Sequence, residues 1–357
     1  MKTIPAQAKV GYALIIGALL LLPILTGMAL GNAWVRTLDF ALLYIMLALG
    51  LNIVVGYAGL LDLGYIAFYA VGAYTWALLA SPQFGLHLPF WAILPIGAAL
   101  ACLFGVLLGA PTLRLRGDYL AIVTLGFGEI VRLFLNNLDR PVNITNGPQG
   151  LDRIDPVSFG LFALDKPLHI GGLTLTSAHL HYYLFLVLAA LVMFVCLRLE
   201  NSRIGRAWMA VREDELAARA TGINTRNVKL LAFAMGATFG GIAGGLFAGF
   251  QGFVSPESFV LMESVMVVCM VVLGGMGNIA GVAVGAVLLT VTPELLRDTV
   301  NPLQRALFGE VVVDPENLRM LLFGLALVLM MLFRPQGILP RPEHGEPERA
   351  AGGEARG

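Results

Sequence analysis

Apolar runs long enough to cross a membrane recur along this sequence, and they restrict the folds that it can adopt. A helix needs about 20 apolar residues to span roughly 30 Å of hydrocarbon. Windows near that length lie at 10–31, 38–56, 60–80, 90–109, 118–136, 181–198, 230–251, 259–275, 278–296 and 316–333. Only Met276 and Gly277 separate two of these windows, which form either two spans or one re-entrant pair. The pattern predicts an all-α integral membrane protein with about ten transmembrane helices.

The composition excludes a soluble domain of this size. Of the 357 residues, 58% are hydrophobic and only 13% are charged, whereas a dispersed protein needs far more polar surface. The 42 glycines suit membrane helices that approach one another closely. A formal net charge of zero argues against a nucleic-acid partner. Cys102, Cys196 and Cys269 are isolated in apolar runs, which favours packed thiols over a disulfide or a metal site.

The distribution of basic residues predicts which segments face the cytoplasm, where Lys and Arg accumulate. If the N-terminus is cytoplasmic, the segments on that side hold fifteen of the 23 Lys and Arg residues, and those on the other side hold seven. Both termini and the polar segment 198–229 are therefore expected in the cytoplasm. The loop 137–180, rich in Asn, Asp, Gly and Pro, is expected outside.

Five of the windows precede this outer loop and five follow it. An odd number of spans in each half gives the halves opposite orientations, which is typical of inverted-repeat transporters. Glycine pairs at matching places, Gly56 with Gly59 and Gly249 with Gly252, add weak support. We therefore predict four parts: a first transmembrane half at 1–136, a periplasmic loop at 137–180, a second half at 181–333, and a polar cytoplasmic tail at 334–357.

The polar segment 198–229 lies between two apolar runs and carries seven basic and four acidic residues. Residues 206–221 contain good helix formers without Gly or Pro, and Gly222 follows where a glycine often ends a helix. They predict one short cytoplasmic helix. The side chains expected to be available for contact are Trp208, Met209, Val211 and Leu216. These residues alone leave open a solvated connector that lies on lipid headgroups.

Leu216–Gly222, which reads Leu-Ala-Ala-Arg-Ala-Thr-Gly, resembles the Glu-Ala-Ala-x-x-x-Gly coupling motif of ABC importer permeases. Leu216 occupies the acidic position, and Glu215 lies one place early. Nearly the whole chain is similar to the LivM-type permease subunits of branched-chain amino acid importers. The motifs that carry this resemblance are 56–64, 116–129, 145–151, 201–214, 272–278 and 333–338.

The resemblance implies a non-enzymatic permease subunit in a bacterial inner membrane. It implies a second homologous permease, two cytoplasmic ABC ATPases and a periplasmic amino-acid-binding protein as partners. ATP and magnesium would be used by the ATPases, and this chain would bind no cofactor or metal. The helix in 198–229 would dock on one ATPase. The coupling residues would be Arg206, Trp208, Arg212, Asp214, Glu215, Ala217, Ala218 and Gly222.

The expected substrates are leucine, isoleucine and valine, or other hydrophobic amino acids. Urea and short-chain amides remain an alternative, because their importers use very similar permeases. An autonomous secondary transporter is less favoured, since it needs a relay of buried carboxylates or a sodium site at broken helices. An enzyme is also disfavoured, because the sequence has no Walker A, His-Glu-x-x-His or Gly-x-Ser-x-Gly pattern.

Polar residues inside the apolar windows are candidates for the translocation pathway, because charges at membrane depth are costly. Freed backbone groups near Gly56 and Gly59 either line a pathway or satisfy one another. Glu129 and Arg132 share one helix face, and we expect an ion pair with a mainly structural role. The pathway candidates are Asn52, Gly56, Gly59, Asp62 and Glu129.

The segment 145–151 is a cluster of turn-forming residues in the outer loop. Asn146, Gly147 and Pro148 are candidates for docking the binding protein or for capping the mouth of the pathway. An ordinary connector is the alternative interpretation.

Overall fold

The computed structural model describes residues 6–112, 115, 117–159, 162–170, 173–308, 315–334 and 336–339. Most of the predicted tail 334–357 lies outside these residues. The helices of the described part are α1 (Ala6–Ala29), α2 (Asn32–Asn52), α3 (Ile66–Leu79), α4 (Phe90–Thr112), α5 (Asp118–Asn137), α6 (Ser177–Glu200), α7 (Arg203–Glu213), α8 (Glu215–Ala220), α9 (Thr225–Gln251), α10 (Leu261–Gly274), α11 (Ile279–Phe308) and α12 (Pro315–Phe333).

Six helical segments among the described residues are long and apolar enough to cross a membrane. They are Asn32–Tyr57, Phe90–Thr112, Ser177–Glu200, Thr225–Gln251, Pro256–Gly274 and Ile279–Pro302. Ile16–Ala29 and Ile66–Leu79 are shorter apolar helices. Large apolar side chains on outer faces, such as Leu107, Phe134 and Phe194, are more than half exposed, as expected for lipid-facing surfaces. A helical protein with several spans is confirmed, and the number ten stays a prediction.

The closely spaced windows 259–275 and 278–296 form two separate helices, α10 and α11. The turn between them, 275–278, contains Gly275 and Gly277 at φ +117° and +87°. Such positive φ angles suit residues without a Cβ atom, which explains this tight reversal.

The loop between α5 and α6, residues 138–176, contains two short antiparallel hairpins. The prediction of an all-α protein did not include them. Strand β1 (Ser158–Phe159) pairs with β2 (Phe162–Ala163), and β3 (Leu168–Ile170) pairs with β4 (Leu173–Leu175). Strands of two or three residues are too short to show an alternating pattern in the sequence.

The connections between helices meet at two opposite ends of the bundle. At the loop end, which carries residues 138–176, the start of α2 meets the end of α9 through Arg36 Nη2 and Gln251 Oε1, 2.7 Å apart. At the linker end, which carries residues 201–224, Asn52 Oδ1 accepts a 2.8 Å hydrogen bond from the Gly277 amide. Both ends therefore join segments that are distant in sequence.

The two parts of the chain on either side of the outer loop are interleaved in one core. Helix α4 packs along α9, and α11 packs along α2, so each part contributes a helix to the other. Helix α3 also lies along α9. Met46, Phe68, Trp76 and Phe233 are fully buried in the shared core. Burial of these apolar side chains therefore stabilises both parts together.

Glycines bring the backbones of α3 and α9 close to each other. A Cβ atom on Gly72 would lie 2.6 Å from Gly241 Cα. A Cβ atom on Gly244 would lie 2.8 Å from the carbonyl carbon of Tyr69 and 3.0 Å from the Ala73 amide nitrogen. Small residues permit this approach, which is the usual basis of close helix packing in membranes.

The substitution Gly72→Ala should destabilise the protein, because its methyl group meets backbone atoms that cannot rotate away. We expect a loss of about 1–3 kcal/mol, typical of overpacking. The control is Gly126→Ala on α5, where an added Cβ has nothing within 4 Å. Thermal unfolding in detergent measures both, and equal melting temperatures for the two variants would contradict the close approach.

Candidate functional site at the linker end

The linker, residues 201–224, forms two short helices and not the single helix predicted for 206–221. Asp214 has extended backbone angles, φ −152° and ψ 111°, and separates α7 from α8. Its Oδ1 accepts hydrogen bonds from the amides of Leu216 at 2.8 Å and Ala217 at 3.1 Å. Asp214 is therefore an N-cap of α8. A cap followed by an acidic residue in the first turn was a signal available in the sequence.

One face of α7 is buried against the helical bundle. Trp208 and Val211 are 0% and 5% exposed. The Trp208 Nε1 donates to the Val228 carbonyl at 2.7 Å, and the indole stacks on Tyr57 with ring centroids 6.5 Å apart. The expectation that Trp208 and Val211 are available to a partner is therefore wrong, because the bundle itself covers this amphipathic face.

Glu215, the displaced acidic residue of the coupling motif, ties α8 to the start of α9. Its Oε2 lies 2.7 Å from Lys229 Nζ, and its Oε1 lies 2.6 Å from Arg219 Nη2. Lys229 is only 7% exposed, so it needs this counterion. Burial raises the pKa of Glu215, but hydrogen bonds and charges from Lys229 and Arg219 outweigh burial and hold the pKa below its usual value. Glu215 therefore has a structural partner within the chain.

The predicted coupling residues divide between buried and exposed positions. Ala218 is 3% exposed and packs inward. Gly222, at φ +88°, follows α8 as the predicted C-terminal glycine. Leu216 is 67% exposed. The exposed members of the predicted set are Arg206, Arg212, Asp214, Ala217 and Gly222. Their contact with an ATPase stays a prediction.

A break in helical structure follows α2 and meets the linker. The π-turn Ile53–Tyr57 ends α2, and no regular helix forms again before α3. The Arg212 guanidinium donates to the Gly56 carbonyl. Gly59, at φ +68°, faces the same side chain, and an added Cβ would lie 2.8 Å from Arg212 Cγ. Asn52 binds the 275–278 turn, so three of the pathway candidates, Asn52, Gly56 and Gly59, lie directly against neighbouring segments.

Asp62 also lies in this break and is fully buried. Its Oδ1 accepts a 2.9 Å hydrogen bond from the Gly64 amide. The Leu63 amide donates to Thr124 Oγ1 at 3.0 Å, and the Ile66 amide donates to the Ser264 hydroxyl oxygen at 3.1 Å. Side chains thus satisfy these freed backbone groups, and lining of a pathway by Asp62 stays a prediction. Asp62 Oδ2 has no partner among the described residues.

Glu129 forms the expected ion pair on α5. Its Oε1 lies 2.5 Å from Arg132 Nη2, and Arg132 Nη1 lies 3.2 Å from Oε1 of Glu257, which precedes α10. The ion pair is therefore confirmed, and the additional contact of Arg132 with Glu257 was not predicted from the sequence. Glu129 also borders a cavity of about 250 Å³. The apolar residues that line this cavity are Leu63, Ile66, Leu125, Phe259 and Leu261.

The turn segment 145–151 joins the outer loop to the second half of the chain. Thr145 Oγ1 donates to the Leu135 carbonyl at 2.6 Å. Leu151 and Val254 exchange backbone hydrogen bonds of 2.8 and 3.0 Å. Gly147 is buried, Asn146 is half-buried at φ 59°, and Pro148 is exposed. The segment thus connects α5 with the chain after α9, and docking of a binding protein or capping of the pathway at this segment stays a prediction.

The described residues contain no group of three or more His, Cys, Asp or Glu side chains suited to a metal ion.

Comparison with known proteins gives consistent matches across the chain. A family model described as branched-chain amino acid transport system / permease component matches residues 33–331. The high-affinity branched-chain amino acid transport system permease protein LivM of Escherichia coli K12 is 46% identical over 97% of this chain and 80% of its own length. LivM of Salmonella typhimurium is 45% identical over 94% and 77%. The permease protein LivH of E. coli K12 is 25% identical over 84% and 92%. No solved structure matches.

The substitution Glu215→Gln should loosen α8, because it removes the carboxylate that pairs with Lys229, a side chain that is only 7% exposed. We expect residues 215–221 to lose roughly 1–3 kcal/mol of protection against hydrogen exchange. Mass spectrometry of the exchanged protein measures this loss. Glu213→Gln, at an exposed position on α7, is the control. Equal exchange in both variants would show that the ion pair does not hold α8.

The same ion pair predicts a pH dependence in the wild-type protein. Because the pKa of Glu215 is lowered in the folded state, its stabilising effect is present at neutral pH and is lost as the pH falls through that lowered pKa. Protection of 215–221, corrected for intrinsic exchange, should therefore fall on acidification in the wild type. It should fall less in Glu215→Gln, and parallel curves would contradict this assignment.

Proposed function

Since this chain belongs to the branched-chain amino acid transport permease family, we propose that it is the transmembrane permease subunit of an ATP-driven ABC importer. The importer moves leucine, isoleucine and valine, or other hydrophobic amino acids, from the periplasm to the cytoplasm. The observation that carries this proposal is 46% identity with LivM over 97% of the chain. The similarity is therefore not confined to one motif.

The proposed assembly contains this chain, a second homologous permease, two ABC ATPases and a periplasmic amino-acid-binding protein. Similarity to both LivM and LivH relatives supports a pair of related permeases. The sequence lacks a Walker A pattern, so ATP and magnesium are used by the partner ATPases. This chain contributes the membrane pathway and no catalysis.

We further propose ten spans in a bacterial inner membrane, five in each half, with the loop end in the periplasm. The linker end and both termini then face the cytoplasm, in agreement with the distribution of basic residues. The interleaving of α4 with α9 and of α11 with α2 supports two related halves. In this proposal the loop 137–180 separates the two transmembrane halves, 1–136 and 181–333.

The ATPase docks on the exposed surface of α7 and α8 in this proposal. Leu216 offers an apolar side chain that is 67% exposed, and Ala217 on α8 and Arg206 on α7 are also exposed. Trp208, Ala218 and Glu215 shape the linker from within, through the contacts described above. The proposed docking surface therefore includes fewer residues than the coupling motif alone implies.

The substrate is tested with the purified importer in proteoliposomes together with its binding protein. We expect ATP-dependent uptake of labelled leucine, isoleucine or valine, with no uptake when the binding protein is omitted. Uptake of urea or a short-chain amide without uptake of leucine would favour the alternative substrate class. Uptake by this chain alone, without ATPases, would instead identify a secondary transporter.

The docking surface is tested with two alanines that are neighbours in sequence. Ala217→Trp places a bulky ring on the exposed side of α8 and should reduce co-purification of the ATPases by about tenfold or more. Ala218→Trp places the same ring on the buried side and should lower the melting temperature of the permease itself.

Val142→Trp, at an exposed position at the loop end, is the control for both variants. It should leave ATPase binding and stability unchanged. Normal ATPase binding by Ala217→Trp would exclude this face of α8 as the docking surface.

A further inference from the structure

We propose that Arg212 is a positioning residue that fastens linker helix α7 to the helical break after α2, so that a displacement of the linker moves this break. This inference rests on the proposed function, because it assigns a path for movement from the ATPase-docking surface into the membrane part. Arg212 would act inward, on this chain, and not as a contact for the ATPase.

The hydrogen bond of Arg212 meets a specific need of the backbone. The last carbonyl groups of a helix lack partners within the helix. Here the π-turn uses the Ile53 and Val54 carbonyls for the amides of Ala58 and Leu60. The Gly56 carbonyl is instead bound by the Arg212 guanidinium. A positive charge at a helix C-terminus is also favoured by the helix dipole.

The shape of the break fits the Arg212 side chain. Gly59 lies against the aliphatic part of that side chain, and any Cβ at this position would be 2.8 Å from Arg212 Cγ. Gly59 also has φ +68°, a conformation that residues with a Cβ rarely adopt. The stem and the guanidinium of Arg212 are therefore both placed by the break.

A second contact makes α7 and the break one unit. Trp208 stacks on Tyr57, which belongs to the same π-turn, with the two ring planes within 6° of parallel. Trp208 is fully buried, so this contact fixes the position of α7. Arg212 lies one turn further along α7 and reaches the adjacent carbonyl. Two contacts one turn apart prevent α7 from pivoting on the break.

The break in turn is tied to the second half of the chain. Asn52 Oδ1 accepts from the Gly277 amide at 2.8 Å, and a Cβ on Gly56 would lie 2.6 Å from the Gly277 nitrogen. Movement of the break therefore also acts on the α10–α11 turn. Through the break, the linker therefore contacts both the end of α2 and, indirectly, the α10–α11 turn.

The experiment uses the complete importer in proteoliposomes and compares Arg212→Met with Arg212→Lys. Methionine keeps an unbranched stem against Gly59 but removes every donor, whereas lysine keeps a charged donor. Each variant is tested for ATPase co-purification, ATP hydrolysis with loaded binding protein, and substrate uptake. Arg297→Met, at an exposed arginine on α11 outside the linker, is the control and should behave as wild type.

We expect Arg212→Met to retain its ATPases and to hydrolyse ATP at near the wild-type rate. Its uptake per ATP hydrolysed should fall about tenfold, the scale of one lost charge-assisted hydrogen bond. Arg212→Lys should restore much of this ratio. The split between hydrolysis and uptake is the result that a merely stabilising role would not produce.

Three results would overturn the inference. Loss of the ATPases from Arg212→Met would show an outward contact, and an unchanged ratio of uptake to hydrolysis would show no role in transmission. A lower melting temperature with an unchanged ratio in the assembled fraction would show a structural role alone. Failure of the proposed function is visible separately, because the wild-type importer would then take up no branched-chain amino acid. If the wild type imports urea, the same ratios are measured with urea.

Discussion

Backbone groups at breaks in a membrane helix must find partners inside the protein, because the hydrocarbon offers no water. The break after α2 meets this constraint with side chains from three other segments. Thr124 of α5 and Ser264 of α10 accept from the amides of Leu63 and Ile66, and Arg212 of the linker donates to the Gly56 carbonyl. Satisfying the backbone thus brings together parts of the chain that are far apart in sequence.

The opposite end of the bundle follows the same rule. After α9, the segment 252–260 is held by the Leu151–Val254 bridge and by the ion pair of Arg132 with Glu257. Leu151 comes from the outer loop, and Arg132 comes from the first half of the chain. With α4 along α9 and α11 along α2, the two halves share much of their packing. Movements during transport must therefore shift helices within a shared core and cannot separate two independent bodies.

The sequence predicted the helical bundle well because membrane spans depend on local composition. The windows near 90–109 and 118–136 agree closely with α4 and α5, and Gly222 follows α8 as expected. The orientation of α7 was not predictable, since its apolar face suits a partner protein or the bundle equally. That face lies inward because Trp208 reaches the Val228 carbonyl, a backbone group with no sequence signature. Glu257 also binds Arg132 of the Glu129–Arg132 pair, and this contact was not predicted because Glu257 is distant from both residues in sequence.

The linker residues divide by the direction of their contacts, and this division gives the displaced motif a physical meaning. An acidic residue at the position of Leu216 would be exposed, whereas Glu215, one place earlier, faces Lys229 and Arg219. The shift by one residue turns the carboxylate by about 100° around the helix axis. The carboxylate of Glu215 therefore faces inward and forms an ion pair. The exposed position is occupied by the apolar side chain of Leu216. A partner that docks there would meet Leu216 first, while the charge anchors α8 to α9.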